Sequence, residues 1–250
     1  GIDGAYVPLP VAPENFAEAL RALAKMGFRG VNVTVPHKEA ALAAVDDADA
    51  LARRIGAVNT VIVGDDGKLT GTNTDGFGFL ENLKEGAPGW NPAAGPAVVL
   101  GAGGAARAVV VALIDAGVPD IRLTNRTRDR AERMARDLGG PVTVHDWDDR
   151  GSALADANLL VNTTTLGMTG KDPLAVSLDA LPGAALINDI VYAPLETGLL
   201  AAARARGNPV VDGLGMLLHQ ARPGFEAWFG TPPQVTPDLR AHILAHLGQG

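Results

Sequence analysis

The residues of the first half that could do chemistry are a lysine just past a strand end and a carboxylate held in a polar loop. Thr34-Val35-Pro36-His37-Lys38 places the Lys38 ammonium beyond a strand that Pro36 terminates, and Gly71-Thr72-Asn73-Thr74-Asp75-Gly76 sets Asp75 among hydroxyl and amide groups. Loops on a rigid scaffold are where reactive groups tend to sit. A lysine oriented by an aspartate can move a proton on an oxygen while a hydride moves on the carbon that bears it. Taken singly, each motif is bland: Lys38 reads as a solvated charge and N-T-D-G as a turn or helix cap. A cofactor site elsewhere in the chain changes that balance.

The second half supplies one. Gly101-Ala102-Gly103-Gly104-Ala105-Ala106 follows an apolar run and opens a helical stretch, matching G-x-G-x-x-A. The string alone is a weak signal, and a plain tight turn is its other reading. Strand-turn-helix context makes it strong, because glycines allow close backbone approach and a helix amino terminus offers free N–H groups to a pyrophosphate. An NAD site places an acid about 20 residues further on. Here that strand ends Thr124-Asn125-Arg126-Thr127, followed by Arg128 and Arg130. A guanidinium suits a 2′-phosphate, so NADP is the expected cofactor, with Arg126 first and Arg130, about one helical turn later, second. The other reading of these arginines is a solvated helix face.

Asn162-Thr163-Thr164-Thr165-Leu166-Gly167-Met168 and Asp189-Ile190-Val191-Tyr192 each follow an apolar strand. The carboxyl ends of strands are where open α/β sheets bind ligands, so Thr163 to Met168 could line a nicotinamide and Tyr192 could face the same cleft. Core gap-filling for Met168 and an interface role for Tyr192 are the alternatives. Asp212-Gly213 opens a Gly-rich turn into a helix where Gln220 could hydrogen-bond a polyol. His37 and His219 have no obvious partner in sequence and read as structural or supporting residues.

The elements that must position these groups alternate between α and β. Glu14 to Lys25 reads as a helix with Pro13 near its start and Gly27 at its end, followed by a strand from Gly30 to Val35. Ala40 to Ile55 is helical in composition, Ala57 to Val63 a strand, and Asp65-Asp66-Gly67 a hairpin turn. Glu85 to Pro96 (EGAPGWNPAAGP) is a Gly/Pro-rich joint. Beyond it come strands at 97–100, 121–124, 159–161, 185–187 and 209–211, with helices at 105–116, 128–138 and 195–206. The segment Met216 to Leu247 is helical with a break at Thr231-Pro232-Pro233. The fold expectation is two α/β domains. The second, residues 95–211, is a Rossmann-like doubly wound parallel sheet that binds NADP; the first, residues 1–84 completed by 212–250, binds substrate, with the cleft between them.

Composition bounds the function. A net charge of −7 without a dense basic block removes the footprint of a nucleic-acid binder. No apolar stretch approaches the ~18 residues of a membrane span. The absence of cysteine removes thiol catalysis and Cys-ligated zinc, and no metal ligand set is expected. A small-molecule substrate, a cytoplasmic location and a monomer or homodimer are the expectations.

Taken together these motifs resemble the shikimate dehydrogenase family, from the first residues to the last helix. The resemblance rests on Asn32 to Lys38, Gly56-Ala57-Val58-Asn59-Thr60, Gly71 to Gly76, Gly101 to Ala105, Asn125-Arg126-Thr127, Asp189 to Tyr192 and Asp212 to Gln220 in that order. It implies NADPH-dependent reduction of 3-dehydroshikimate to shikimate in aromatic amino-acid biosynthesis, with Lys38 and Asp75 as the acid/base pair. It further implies substrate contacts from Thr34, Asn59, Tyr192 and Gln220. Cofactor contacts are implied for Gly101, Ala102, Gly103, Gly104, Ala105, Asn125, Arg126, Thr127, Arg130, Thr163 and Met168, with Ile190 and Gly213 near the nicotinamide. Two other readings are a quinate/shikimate dehydrogenase of broader specificity and a non-catalytic metabolite-sensing relative. The chain opens with Gly1, and Tyr6 to Pro10 reads like the end of a strand. Family members carry an earlier strand and helix with two serines that grip the substrate carboxylate, so an incomplete chain is expected.

Overall fold

A computed structural model describes residues 2–246. Two compact units emerge, Gly1–Thr74 with Ala221–Gln234, and Asp75–Gln220 with Val235–Gly250.

In the first unit, α1 (Phe16–Lys25) follows a 3-10 turn at Pro13–Asn15 and buries Phe16, Leu20 and Leu23 on one face. It ends at Gly27, whose φ of 78° is the left-handed stop that glycine provides. The sheet has strand order β1-β3-β4-β2, from β1 (Gly30–Asn32), β2 (Asp47–Ala48), β3 (Thr60–Val63) and β4 (Leu69–Thr72). Its β1/β3 and β3/β4 pairs are antiparallel, and β2/β4 is parallel. The Asp65-Asp66-Gly67 turn closes the β3/β4 hairpin as expected. The indole of Trp228 lies over Gly30 and donates to the Val61 carbonyl at 3.0 Å. A Cβ on Gly30 would sit 2.0 Å from the indole nitrogen, so only glycine fits beneath it.

Three expectations change here. The first strand stops at Asn32 rather than Val35. The helix expected over Ala40 to Ile55 divides into α2 (Lys38–Ala44) and α3 (Ala50–Ile55), with β2 between. The acidic run Asp46-Asp47-Asp49 explains the break, since short carboxylates compete for backbone N–H groups. Asp46 accepts from Leu69 N, Asp47 from Ala48 N, and Asp49 caps α3 by accepting from Ala52 N. The strand expected from Ala57 begins only at Thr60, because Ala57 and Val58 donate to the Ala52 and Lys38 carbonyls instead.

The second unit holds α4 (Asp75–Gly86), β5 (Ala97–Leu100), α5 (Gly104–Asp115), β6 (Ile121–Thr124), α6 (Arg128–Leu138), β7 (Val142–His145), β8 (Leu159–Asn162), β9 (Leu186–Asp189), α7 (Gly198–Ala205) and β10 (Val210–Val211). All strand pairs are parallel, in the order β10-β9-β8-β5-β6-β7. The order reverses between β5 and β8, which is the switch point where such sheets bind ligands. Continuous apolar runs make β5 and β8 buried throughout. The sequence gives little warning of β7, a half-exposed edge strand reading Val-Thr-Val-His. Two side-chain caps move helix starts: Thr197 begins α7 at Gly198, and Asp212 begins α8 (Leu214–Phe229) at Leu214. Helix α9 (Pro237–His246) follows the Pro-rich break; Leu247, the last residue of the expected segment, lies outside the described residues.

The joint expected at Glu85 to Pro96 is not where the compact units meet. Helix α4 packs on α5 so closely that a Cβ on Gly76 would lie 3.1 Å from the Ala108 carbonyl, which puts residues 75–86 with the parallel sheet. The remaining boundaries fall after Gln220, within α8, and after Gln234.

Candidate active site

In the first unit, Lys38 is the first residue of α2 and is half-buried, while Thr34 is exposed in the turn before it. Lys38 accepts through its backbone carbonyl from Val58 N at 2.9 Å, which ties the start of α2 to the segment carrying Asn59. Asn59 is buried and its amide has a fixed orientation. Its Oδ1 accepts from Thr74 N at 2.9 Å and from Thr60 Oγ1 at 2.9 Å, and Nδ2 donates to Thr74 Oγ1 at 3.0 Å. Because a backbone N–H can only donate, the oxygen must face it. Asn73 is also buried and donates to the Ala57 carbonyl. The 71–74 loop is therefore clamped to the 57–60 segment by side-chain amides. His37 stacks on Phe16 with centroids 4.5 Å apart and bonds the Val11 carbonyl at 3.0 Å, giving it the structural role expected.

In the second unit, Asp75 is buried at the first position of α4, where the helix dipole favours a carboxylate. Gln220 is half-buried in α8 and donates to the Leu217 carbonyl. His219 is buried beside it and pairs with Glu85 at 2.6 Å, a partner 134 residues away that no local reading could supply.

The glycine turn crosses from β5 to α5. Gly101 has φ of 110°, and a Cβ there would lie 2.7 Å from Thr163 Oγ1. A Cβ on Gly103 would meet nothing within 4 Å, so open space lies above that backbone. No side chain caps α5, which leaves its first N–H groups available to an anion. Asn125 Oδ1 accepts from Ala102 N at 3.1 Å and Asn125 Nδ2 donates to the Thr127 carbonyl at 2.8 Å, locking the glycine turn to the arginine-bearing loop. Arg128 is taken up by Glu132 at 2.7 Å and Asp146 at 2.5 Å, whose bonds hold its guanidinium above the ordinary range. Arg126 and Arg130 are exposed and have no ion pair among the described residues. An open helix start, a turn only glycine can make and two uncommitted guanidiniums fit a dinucleotide that carries a 2′-phosphate.

Thr163, Met168, Ile190 and Tyr192 are half-buried beyond the ends of β8 and β9. Thr163 Oγ1 donates to the Leu100 carbonyl at 2.7 Å, bringing the loop after β8 against the start of the glycine turn. Gly213 packs on Ile190, since a Cβ would fall 2.4 Å from the Ile190 carbonyl. Buried Asp189 is bonded by Asn162 and Thr197, a pairing that the sequence does not announce. A lone acid ending an apolar strand was its only signal.

Three family models match: the shikimate dehydrogenase substrate binding domain over residues 1–61, shikimate/quinate 5-dehydrogenase over 91–168, and the shikimate 5′-dehydrogenase C-terminal domain over 213–241. An NADP(+) shikimate dehydrogenase of Paramagnetospirillum magneticum is 65% identical over 98% of this chain and 89% of its own length. That of Rhodospirillum rubrum is 59% identical over 98% and 88%. Among solved structures, shikimate 5-dehydrogenase of Thermus thermophilus in complex with NADP(H) and shikimate superposes with a TM-score of 0.82 at 39% identity, covering 95% of this chain and 85% of that one. Quinate dehydrogenase of Corynebacterium glutamicum in complex with NAD gives 0.85 at 34%, covering 92% and 82%.

Proposed function

This chain belongs to the shikimate dehydrogenase family, and from that premise we propose how its own residues serve the reaction. The protein is an NADP-dependent oxidoreductase that interconverts 3-dehydroshikimate and shikimate in aromatic amino-acid biosynthesis. The observation that carries the cofactor reading is the uncapped start of α5 beside Arg126 and Arg130.

Gly103, Gly104 and Ala105 hold the pyrophosphate through backbone N–H groups, and Gly101 and Ala102, whose own N–H groups go to the Thr124 carbonyl and Asn125 Oδ1, shape the turn that lets it approach. Arg126 and Arg130 hold the 2′-phosphate, and Asn125 and Thr127 complete the cofactor contacts on the loop that Asn125 ties to Ala102. Thr163, Met168, Ile190 and Gly213 line the nicotinamide. The hydride comes from NADPH when that cofactor is bound. Lys38, as an ammonium with Asp75 as its counter-charge, donates the proton to the developing alkoxide and in oxidation takes it back. Its positive charge also stabilises the oxyanion in the transition state. Thr34, Asn59, Tyr192 and Gln220 bind the ring substituents, with Asn59 presenting an amide whose orientation Thr74 sets. Residues 1–84 with 212–250 serve the substrate and 95–211 the cofactor. A cytoplasmic location and a monomeric or homodimeric state belong to the same proposal.

A second reading, breadth toward quinate, is favoured by the similarity to the quinate dehydrogenase. NADP⁺ reduction followed with shikimate, with quinate and with neither, and with NAD⁺ in parallel, separates the two. Turnover with shikimate and NADP⁺ alone supports the narrow reading. NADPH binding with no turnover of shikimate overturns the assignment of Lys38 and Asp75.

A further inference from the structure

The loops after β8 and β9, which the proposal above sets beside the nicotinamide, share one buried support. Asp189, the last residue of β9, has no exposed surface. Its Oδ1 accepts from Asn162 Nδ2 at 2.9 Å and from Val191 N at 3.0 Å, and its Oδ2 accepts from Thr197 Oγ1 at 2.7 Å. Every one of these partners donates. The Asn162 amide NH₂ and the Val191 N–H can only donate, so an oxygen must face both.

Asn162 carries the constraint onward. Its Oδ1 accepts from Thr164 N at 3.0 Å and Thr164 Oγ1 at 2.7 Å, and its Nδ2 also donates to the Leu166 carbonyl at 3.2 Å. Backbone bonds from Ile190 N to the Asn162 carbonyl and from Thr169 N to the Ala193 carbonyl join the same two loops. A buried carboxylate with no ion pair among the described residues is a costly way to end a strand. What it provides that an apolar side chain would not is directional bonding to both loops at once.

We propose that Asp189 is a positioning residue for hydride transfer: with Asn162 and Thr197 it fixes the 163–168 loop against residues 190–192, and so sets where Thr163, Met168 and Ile190 meet the nicotinamide. The proposal rests on the NADP reading above. It assigns Asp189 no proton transfer and no contact with substrate.

The test uses Thr197→Val, which removes one donor to Asp189 at nearly constant shape, Thr197→Ser, which keeps it, and Asp189→Asn. For each, kcat, both KM values, the primary isotope effect with shikimate deuterated at its carbinol carbon, and amide hydrogen exchange over 163–168 and 190–192 in the free protein are measured. Thr197→Val is expected to lower kcat by roughly tenfold, the worth of one hydrogen bond to a charged group. It should also raise the isotope effect, speed exchange in both loops and change kcat more than the KM for shikimate, to which Tyr192 is one of several contacts. Thr197→Ser should match the parent, and Asp189→Asn, whose NH₂ group can donate to the Thr197 hydroxyl, should fall between the parent and Thr197→Val. If Asp189→Asn fails to fold, the two Thr197 variants decide. Lower thermal stability in Thr197→Val with unchanged kcat, isotope effect and loop exchange overturns the proposal alone. A parent protein silent with shikimate and NADP⁺ overturns the functional reading and this proposal with it.

Discussion

Lys38 and Val58 are joined by a backbone hydrogen bond of 2.9 Å, from the Val58 N–H to the Lys38 carbonyl. The residue offered as proton donor is thereby held to the segment that presents Asn59, through an atom that survives any substitution of its side chain. Lys38→Ala should accordingly fold like the parent, since the tie remains. It should lose kcat by on the order of 10²- to 10⁴-fold, the range a positioned acid/base group contributes. Steady-state kinetics beside a thermal melt checks this, and an unchanged kcat refutes the role.

The two classes of arginine near α6 should behave differently. Arg126→Ala should raise the KM for NADP⁺ by about 10- to 100-fold, the loss of charge-assisted bonds to a phosphate, with little effect on the weaker use of NAD⁺. Arg128→Ala should leave both nearly unchanged, because Glu132 and Asp146 already occupy that guanidinium. Equal responses of the two variants would remove Arg126 from the phosphate site.

Glycines 101 and 103 separate folding from binding. Gly101→Ala meets both a φ of 110° and Thr163 Oγ1 at 2.7 Å, and should cost about 1–3 kcal/mol of stability together with cofactor affinity. Gly103→Ala meets no protein atom within 4 Å and should melt like the parent, while its methyl obstructs close approach of the pyrophosphate. Melting curves and NADPH fluorescence titrations distinguish the two. Full NADPH affinity in Gly103→Ala would argue against a pyrophosphate over that turn.

Burial raises the Asp189 carboxyl above its ordinary value of 3.8, against the lowering effect of its bonds from Thr197, Val191 and Asn162. A folded state that holds a proton more tightly than the unfolded chain gains stability as pH falls, so the sign is opposite to that of an ion-paired aspartate. Between the raised value and the ordinary one, the parent should gain stability relative to Asp189→Asn as the solution is acidified. Urea denaturation of both proteins across the weakly acidic range checks the slope. A difference that stays flat or reverses contradicts it.

Gly30→Ala tests the packing of the first unit. Its Cβ would lie 2.0 Å from the Trp228 indole nitrogen and 2.2 Å from the Val61 carbonyl, so the indole must give up its bond or the strand must shift. A loss of about 1–3 kcal/mol is expected. The double variant Gly30→Ala, Trp228→Ala should lose less than the sum of the two single changes.

Much of this molecule was determined by sequence alone. The parallel sheet was legible because strands buried on both faces must be apolar throughout, as at Ala97–Leu100 and residues 159–161. The glycine turn was legible because its backbone requirement excludes other residues, and the NADP preference because Arg126 stands where an acid would hold a ribose. These are local demands that leave local traces. Tertiary structure decided the rest. The helix expected over Ala40–Ile55 broke because Asp46 and Asp49 found backbone partners, one of them 23 residues away. Residues 75–86 joined the parallel sheet because Gly76 admits the Ala108 carbonyl. Asp189 acquired its role only when folding brought donors from a neighbouring strand end, a loop and a helix cap to one buried carboxylate. Composition and periodicity record which face of an element is buried; they do not record which distant polar group it is buried against, and that pairing holds the loops of the proposed site in place.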